Sequence, residues 1–176
     1  YFQFEEYTGT IVHGILSANI FSRYLMKINY DRQVITLYDR EHFNERELKG
    51  YEPFKIEIVR DKPYFNSRLR MAGDSVVDVK LLLDTGAGMP LLLFADTHPM
   101  LKPPANALAS NIGAGLGGEI EGFTGRIRSM SLGALDQNNV ITYFQVLDTI
   151  IDKDAGNSRN GLIGNGLLSH FSVIFD

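Results

Sequence analysis

The residues whose types and spacing could do chemistry lie in one short run, Leu81-Leu82-Leu83-Asp84-Thr85-Gly86-Ala87. An aspartate at the mouth of a fully apolar strand is costly to ionise unless it is hydrogen-bonded. That makes Asp84 a candidate acid or base. Thr85 can supply a hydroxyl and Gly86 a close-lying backbone N–H. Without a Cβ, Gly86 also leaves room for a second backbone to approach the carboxylate. An Asp-Thr-Gly triplet alone is weak, because average residue usage gives one by chance in roughly a few per cent of chains this long. Its setting is more specific, since a second apolar strand, Leu91-Leu92-Leu93, follows at once. The plain alternative is an Asp-initiated turn between two core strands.

Other chemistries are poorly supported. The chain has no cysteine, which excludes disulfides, thiol nucleophiles and thiolate metal sites. Its histidines, His13, His42, His98 and His170, are never three to five residues apart, so there is no zinc-type pair. No metal and no organic cofactor is expected. Gly113-x-Gly115-x-x-Gly118 formally matches a dinucleotide-binding fingerprint, which requires a helix directly after it. The next ten residues, Glu119 to Arg128, alternate and contain Gly122 and Gly125, which is a strand pattern. The glycine-rich stretch Asn111–Gly125, including Gly117, is therefore read as a β-hairpin with a mobile tip, or else as a plain structural turn.

The elements that must position Asp84 are mostly strands. The 176 residues suit one large or two small domains. A net charge of −4 argues against a general nucleic-acid binder. No apolar run approaches the roughly 20 residues of a membrane helix. Phe54–Val59, Tyr64–Met71, Ser75–Leu83, Pro90–Phe94, Glu119–Leu132, Val140–Leu147 and Ser172–Phe175 read as strands. The Leu81–Leu83 run predicts burial on both faces. Thr97–Pro104 and Asp148–Asn160 read as loops, and Asn165–His170 as a short helix. Upstream, Thr8–Leu16 is apolar and β-branched. Ile20–Tyr24 reads as a helix capped by Ser17 or Asn19. Leu25–Tyr30 and Val34–Tyr38 form a hairpin about Asp31-Arg32-Gln33. Asp39–Gly50 is charged and is read as a linker or a short exposed helix.

An internal repeat organises these elements. Residues 14–24 align without a gap with residues 161–171, at an offset of 147 (161 minus 14). Gly14 matches Gly161, Ser22 matches Ser169 and Tyr24 matches Phe171, and a strand follows each block. The alternative is two unrelated strand–helix turns of similar composition. If the repeat is real, residues 1–38 are the tail of a first lobe, 39–50 a linker and 51–176 a second lobe. The sequence is then expected to be a fragment that continues at both ends.

At this point the chain resembles the pepsin/retropepsin-type aspartic peptidases. The resemblance rests on Leu82–Ala87 and on the hydrophobic–hydrophobic–Gly motif Leu162-Ile163-Gly164 before the C-terminal helix. It is most similar to the bacterial two-lobed, retropepsin-like group, whose lobes often precede a PDZ domain. The resemblance implies a mainly β fold, an acid-protease-type closed barrel lobe with short helices, plus the helix and β-hairpin tail of a preceding lobe. It implies that Asp84 is one of two catalytic aspartates sharing a proton and activating a water against a peptide bond. Thr85 would hydrogen-bond across to the partner loop, and Gly86 would approach the carboxylate. Ala87, Gly113, Gly115, Gly117 and Gly118 would contact substrate, the glycines on a closing flap. The implied partners are a peptide or protein substrate and either an upstream lobe of the same protein or a homodimer mate. The implied location is the cell envelope, periplasm or exterior of a bacterium. Two departures stand out. Only one Asp-Thr-Gly is present, and Ser17 occupies the first copy's glycine position. Little turnover is expected from the isolated monomer. A non-catalytic peptide-binding or assembly module on the same fold, and an unrelated β-barrel binding protein, are the competing readings.

Overall fold

A computed structural model of the chain describes residues 9–115, 118–146 and 159–176. Eleven strands are present among them: β1 Leu25–Asn29, β2 Val34–Tyr38, β3 Glu57–Val59, β4 Lys62–Arg70, β5 Val76–Leu83, β6 Leu91–Phe94, β7 Leu108–Gly115, β8 Gly118–Leu132, β9 Leu135–Gln145, β10 Gly161–Ile163 and β11 Ser172–Phe175. Two short helices, Asn19–Arg23 and Asn165–Leu168, each precede a strand, β1 and β11. The protein is mainly β, as the alternating patterns predict. No helix among the described residues is long and apolar enough to cross a membrane.

The larger sheet runs β3-β4-β5-β10-β6-β9-β8-β7, and an added pairing of β4 with β8 closes it into a barrel. That closure joins Leu69 to Met130 and Arg70 to Ser129. Among the described residues, closure leaves only β3 and β7, each paired on one side, as edges of this sheet. β10 lies between β5, with which it is parallel, and β6, with which it is antiparallel.

The apolar runs follow from this placement. Strand β5 starts by alternating, with Val77 and Val79 buried and Val76 and Asp78 exposed, and then becomes buried at three consecutive residues. Leu81 and Leu83 enter the main core with Leu91, Leu93 and Ile163. Leu82 points the other way, into a second cluster with Tyr64, Leu92, Phe94, Ile112 and Leu162. Both faces of the central strands are covered, so both must be apolar. Leu93 is fully buried in the main core. Leu93→Ala is expected to cost about 2–5 kcal/mol by leaving a cavity, read as a lowered midpoint in urea unfolding.

Several boundaries differ from the sequence expectation. Strand β9 begins at Leu135 rather than Val140, because Ser129 to Leu132 on β8 pair with Leu135 to Asn138 around a tight turn. The apolar stretch that ends at Leu16 has no regular structure over residues 11–16, and Ile11, Ile15 and Leu16 are exposed. The first helix has Ala18 at its N-cap with no side-chain cap, so neither Ser17 nor Asn19 caps it through a side chain. Residues 39–50 form two 3-10 turns, Arg40–His42 and Glu45–Leu48, started by the side chains of Asp39 and Asn44. They are tied to the smaller sheet: Lys27 pairs with Glu47 at 3.3 Å, and Arg40 pairs with Asp176. The predicted loop over 148–158 lies outside the described residues.

The smaller sheet has the order β11-β1-β2. Strand β1 sits between its hairpin mate β2 and the last strand of the chain. The sheet lies against the barrel through Phe171, Val173, Phe175 and Tyr30, which pack on the main core.

Candidate active site

Asp84, Thr85, Gly86 and Ala87 occupy the loop from β5 to β6, at the end of a strand buried on both faces. The loop's hydrogen bonds explain its shape. The Asp84 N–H donates to the Ile163 carbonyl at 2.9 Å, continuing the β5–β10 ladder. The Ala87 N–H donates to the Asp84 carbonyl at 3.2 Å, closing a turn. The Gly86 N–H donates to Asp84 Oδ1 at 2.9 Å. A charge-assisted bond of this kind holds one carboxylate oxygen in place and offsets part of its desolvation. The Asp84 side chain is half-buried, which leaves it open to a reactant. Crowding at Gly86 comes from this same carboxylate. A Cβ there would lie 3.2 Å from Asp84 Oδ1, and no second backbone approaches it within 4 Å among the described residues.

The segment after β10 clamps the loop from behind. The Gly164 N–H donates to the Pro90 carbonyl at 3.2 Å, and the Asn165 N–H donates to the Ala87 carbonyl at 2.7 Å. Asn165 Nδ2 donates to the Thr85 carbonyl at 2.5 Å. Its Oδ1 accepts the Tyr30 hydroxyl at 2.8 Å. Gly164 can come this close only because it lacks a side chain: a Cβ there would strike the Ala87 carbonyl oxygen and lie 2.6 Å from that of Met89. The motif Leu162-Ile163-Gly164 is thus the other half of the Asp84 loop, brought to it by parallel pairing across about eighty residues of chain.

The glycine-rich stretch forms the β7–β8 hairpin, as its alternation predicts. Gly113 sits at a register shift after Asn111, with φ of 143°, a conformation that L side chains rarely adopt. A Cβ there would lie 3.6 Å from the terminal methyl of Met89. Ile112 and Ile120 share the second apolar cluster with Ala87 and Met89. The hairpin, at Ile112 and Ile120, therefore packs with the loop that follows Asp84. Gly115 pairs with Gly118 toward the tip, and Gly117 lies outside the described residues. The structure brings Asp84, Thr85, Gly86, Ala87 and Gly113 into one neighbourhood.

Two solved structures are similar in fold. One is a retropepsin-like aspartic protease from Rickettsia conorii, 18% identical, covering 68% of this chain and 86% of that chain, with a TM-score of 0.45. The other is EIAV protease complexed with the inhibitor HBY-793, 16% identical, covering 65% of this chain and 91% of that chain, with a TM-score of 0.47. No family model matches the sequence, and no curated protein matches it significantly.

Sequence reasoning did not single out Asn165 or Tyr30 as site residues. Asn165 directly follows the hydrophobic–hydrophobic–Gly motif, a signal that was available. Tyr30 carried none, since it reaches the loop only through the folded sheet. No cluster of His, Asp and Glu among the described residues could hold a metal ion. Two surface grooves, of about 510 and 440 Å³, flank the 95–107 loop, and no residue of 84–90 lines either.

Burial raises the Tyr30 phenol above its ordinary pKa. The folded chain then holds that proton more tightly than the unfolded chain does. This contribution to stability is fully present below about pH 10, the unfolded value. It is lost as pH rises through the higher folded value. Urea midpoints are expected to fall above about pH 10, and Tyr30→Phe is expected to make that alkaline fall shallower.

Proposed function

We propose that this chain carries one catalytic half of an aspartic endopeptidase, with Asp84 as one of two essential carboxylates. The observation that carries the reading is the Asp84 loop itself. A half-buried carboxylate is held by the Gly86 N–H at the end of a doubly buried strand, with Gly164-Asn165 clamped behind it and a glycine-rich hairpin alongside. Two carboxylates roughly 3 Å apart cannot both ionise. The ionised one takes a proton from water as the water oxygen bonds to the peptide carbonyl carbon. The protonated one gives its proton to the carbonyl oxygen. The tetrahedral adduct then collapses: the nitrogen receives a proton from the pair, the C–N bond breaks to release an amine, and one hydroxyl of the adduct returns its proton to the pair as the carboxylic acid forms. In this reading Thr85 hydrogen-bonds to the partner loop, and Ala87 and the hairpin glycines Gly113, Gly115, Gly117 and Gly118 line the substrate.

The second aspartate comes, in this reading, from another lobe of the same fold, with residues 1–38 as that lobe's tail, 39–50 as linker and 51–176 as the lobe described here. The β1–β11 ladder supports this. Lys27 pairs with Ile174, and these residues are 147 apart (174 minus 27), which is the repeat offset. The same offset exchanges the pair Met26 with Phe175 for the pair Ile28 with Val173. These three pairs map onto themselves, as a local twofold axis passing between Lys27 and Ile174 requires. Further support comes from Ile15 and Leu16, 72% and 65% exposed, at positions whose repeat equivalents, Leu162 and Ile163, are 9% and 0% exposed. Residues with that sequence equivalence fit a strand seated in a second barrel. A homodimer bringing together two copies of Asp84 is the other route to a pair.

One observation favours a non-catalytic peptide-binding module instead. Ser17 stands where its equivalent, Gly164, has no room for a Cβ. A mate loop facing Ser17 cannot pack as the Asp84 loop does. The test is peptide-library cleavage by the intact natural protein across pH, read by mass spectrometry. Cleavage that Asp84→Asn abolishes supports the peptidase. Folded protein that binds peptides and cuts none supports the module. A rate from the present chain that rises with the square of its concentration supports the homodimer.

A further inference from the structure

From Tyr30 and Asn165 we infer a positioning pair that sets the Asp84 loop from the N-terminal segment. The inference rests on the reading of Asp84 as the reacting carboxylate. The Thr85 carbonyl oxygen can only accept a hydrogen bond. The Asn165 amide must therefore turn its Nδ2 toward Thr85, at 2.5 Å, and its Oδ1 toward Tyr30, whose hydroxyl donates to it at 2.8 Å. The same residue's backbone N–H holds the Ala87 carbonyl at 2.7 Å. One residue thus grips the loop on both sides of Gly86, the residue whose N–H fixes Asp84 Oδ1.

Tyr30 holds the other end of that amide. It follows β1, some 135 residues before Asn165, and its ring packs on the main core, as Phe171 and Val173 also do. Its hydroxyl is thereby delivered from the smaller sheet to the back of the catalytic loop. Any shift of that sheet against the barrel changes the Tyr30–Asn165 bond first and the Thr85 carbonyl next. The arrangement is one-sided, because the repeat equivalent of Asn165 is Ala18, which has no amide to offer. Tyr30 and Asn165 are positioning residues, acting on Asp84 through the loop backbone and touching no reactant.

The experiment compares Tyr30→Phe and Asn165→Ala with Tyr38→Phe. The Tyr38 hydroxyl bonds exposed Glu47 instead, so this variant controls for losing a phenol. The first readout is amide hydrogen exchange at Gly86 and Ala87 in this chain, which needs no catalysis. Exchange there is expected to speed up about tenfold in Tyr30→Phe and more in Asn165→Ala, with the β4 and β9 amides unchanged. The second readout is cleavage by the intact protein, where kcat is expected to fall about tenfold with KM little changed. Unchanged exchange at both amides in folded Tyr30→Phe overturns the inference. So does an increase spread evenly over the barrel, which would mark a purely structural role. If Asn165→Ala fails to fold, Tyr30→Phe decides alone. Local loosening at Gly86 and Ala87 in a protein that cuts no peptide supports the positioning pair and defeats the peptidase reading, so the two failures are distinguishable.

Discussion

Asp84→Asn in the intact protein is expected to reduce peptide cleavage by about a thousandfold or more while leaving the fold in place. The substitution conserves size and keeps an oxygen that can accept the Gly86 N–H, now held at 2.9 Å. The turn closed by Ala87 and the ladder bond from Asp84 to Ile163 use backbone atoms only, and they persist. What disappears is a group that can alternate between base and acid. An amide cannot take the proton of an attacking water, nor share one with a second carboxylate. The measurement is turnover of a cleaved peptide by mass spectrometry beside a thermal unfolding scan. A transition within a few degrees of the parent, with activity gone, assigns the chemistry to Asp84. A retained rate from a folded variant would remove Asp84 from the reaction and with it the peptidase reading.

Gly164→Ala is expected to be among the most damaging single changes in the barrel, lowering stability by about 3 kcal/mol or more. The new methyl would strike the carbonyl oxygen of Ala87 and lie 2.6 Å from that of Met89. Both obstructing atoms are backbone, so no rotamer change relieves the contact. The loop must move, and in moving it stretches the bonds from Gly164 to Pro90 and from Asn165 to Ala87. For a chain of this size that loss corresponds to a fall of about 6–12 °C in Tm. Gly88→Ala is the matched control. It lies in the same loop, its Cβ would meet nothing within 4 Å, and its φ is not positive. It is expected to change Tm by less than about 2 °C. Equal Tm for Gly164→Ala and the parent would show that the loop yields easily. The clamp would then not be what shapes the Asp84 site.

The legible features of this protein were local or periodic. Leu81–Leu83 and Leu91–Leu93 announced strands covered on both faces, because a strand with one wet face alternates and these do not. The glycines of 113–125 excluded a helix and required a hairpin. The Asp84 loop could be recognised because part of its hydrogen bonding is local, from Gly86 and Ala87 back to Asp84. The start of β9 was missed because Leu135–Asn139 is polar and poor in β-branched residues. It is a strand because β8 continues beside it, and Asn139, with φ of 56°, marks the irregularity. The apolar, β-branched stretch ending at Leu16 has no regular secondary structure over residues 11–16, since an apolar segment forms a strand only when a neighbour supplies its ladder bonds.

By itself the amino-acid sequence determined that a carboxylate ends a doubly buried strand, that a glycine hairpin accompanies it, and that two segments repeat at an offset of 147. Each is a matter of residue type and short spacing, and short spacing survives without knowledge of the partners. Only the tertiary structure decided what stands behind and beside the carboxylate. The parallel seating of β10 against β5 brings Gly164 and Asn165 onto the Asp84 loop, and the β1–β11 ladder delivers Tyr30 to Asn165. Such contacts join residues about 80 and 135 positions apart. Their register is selected by the packing of the whole barrel and its small sheet, and no local pattern of side chains encodes it.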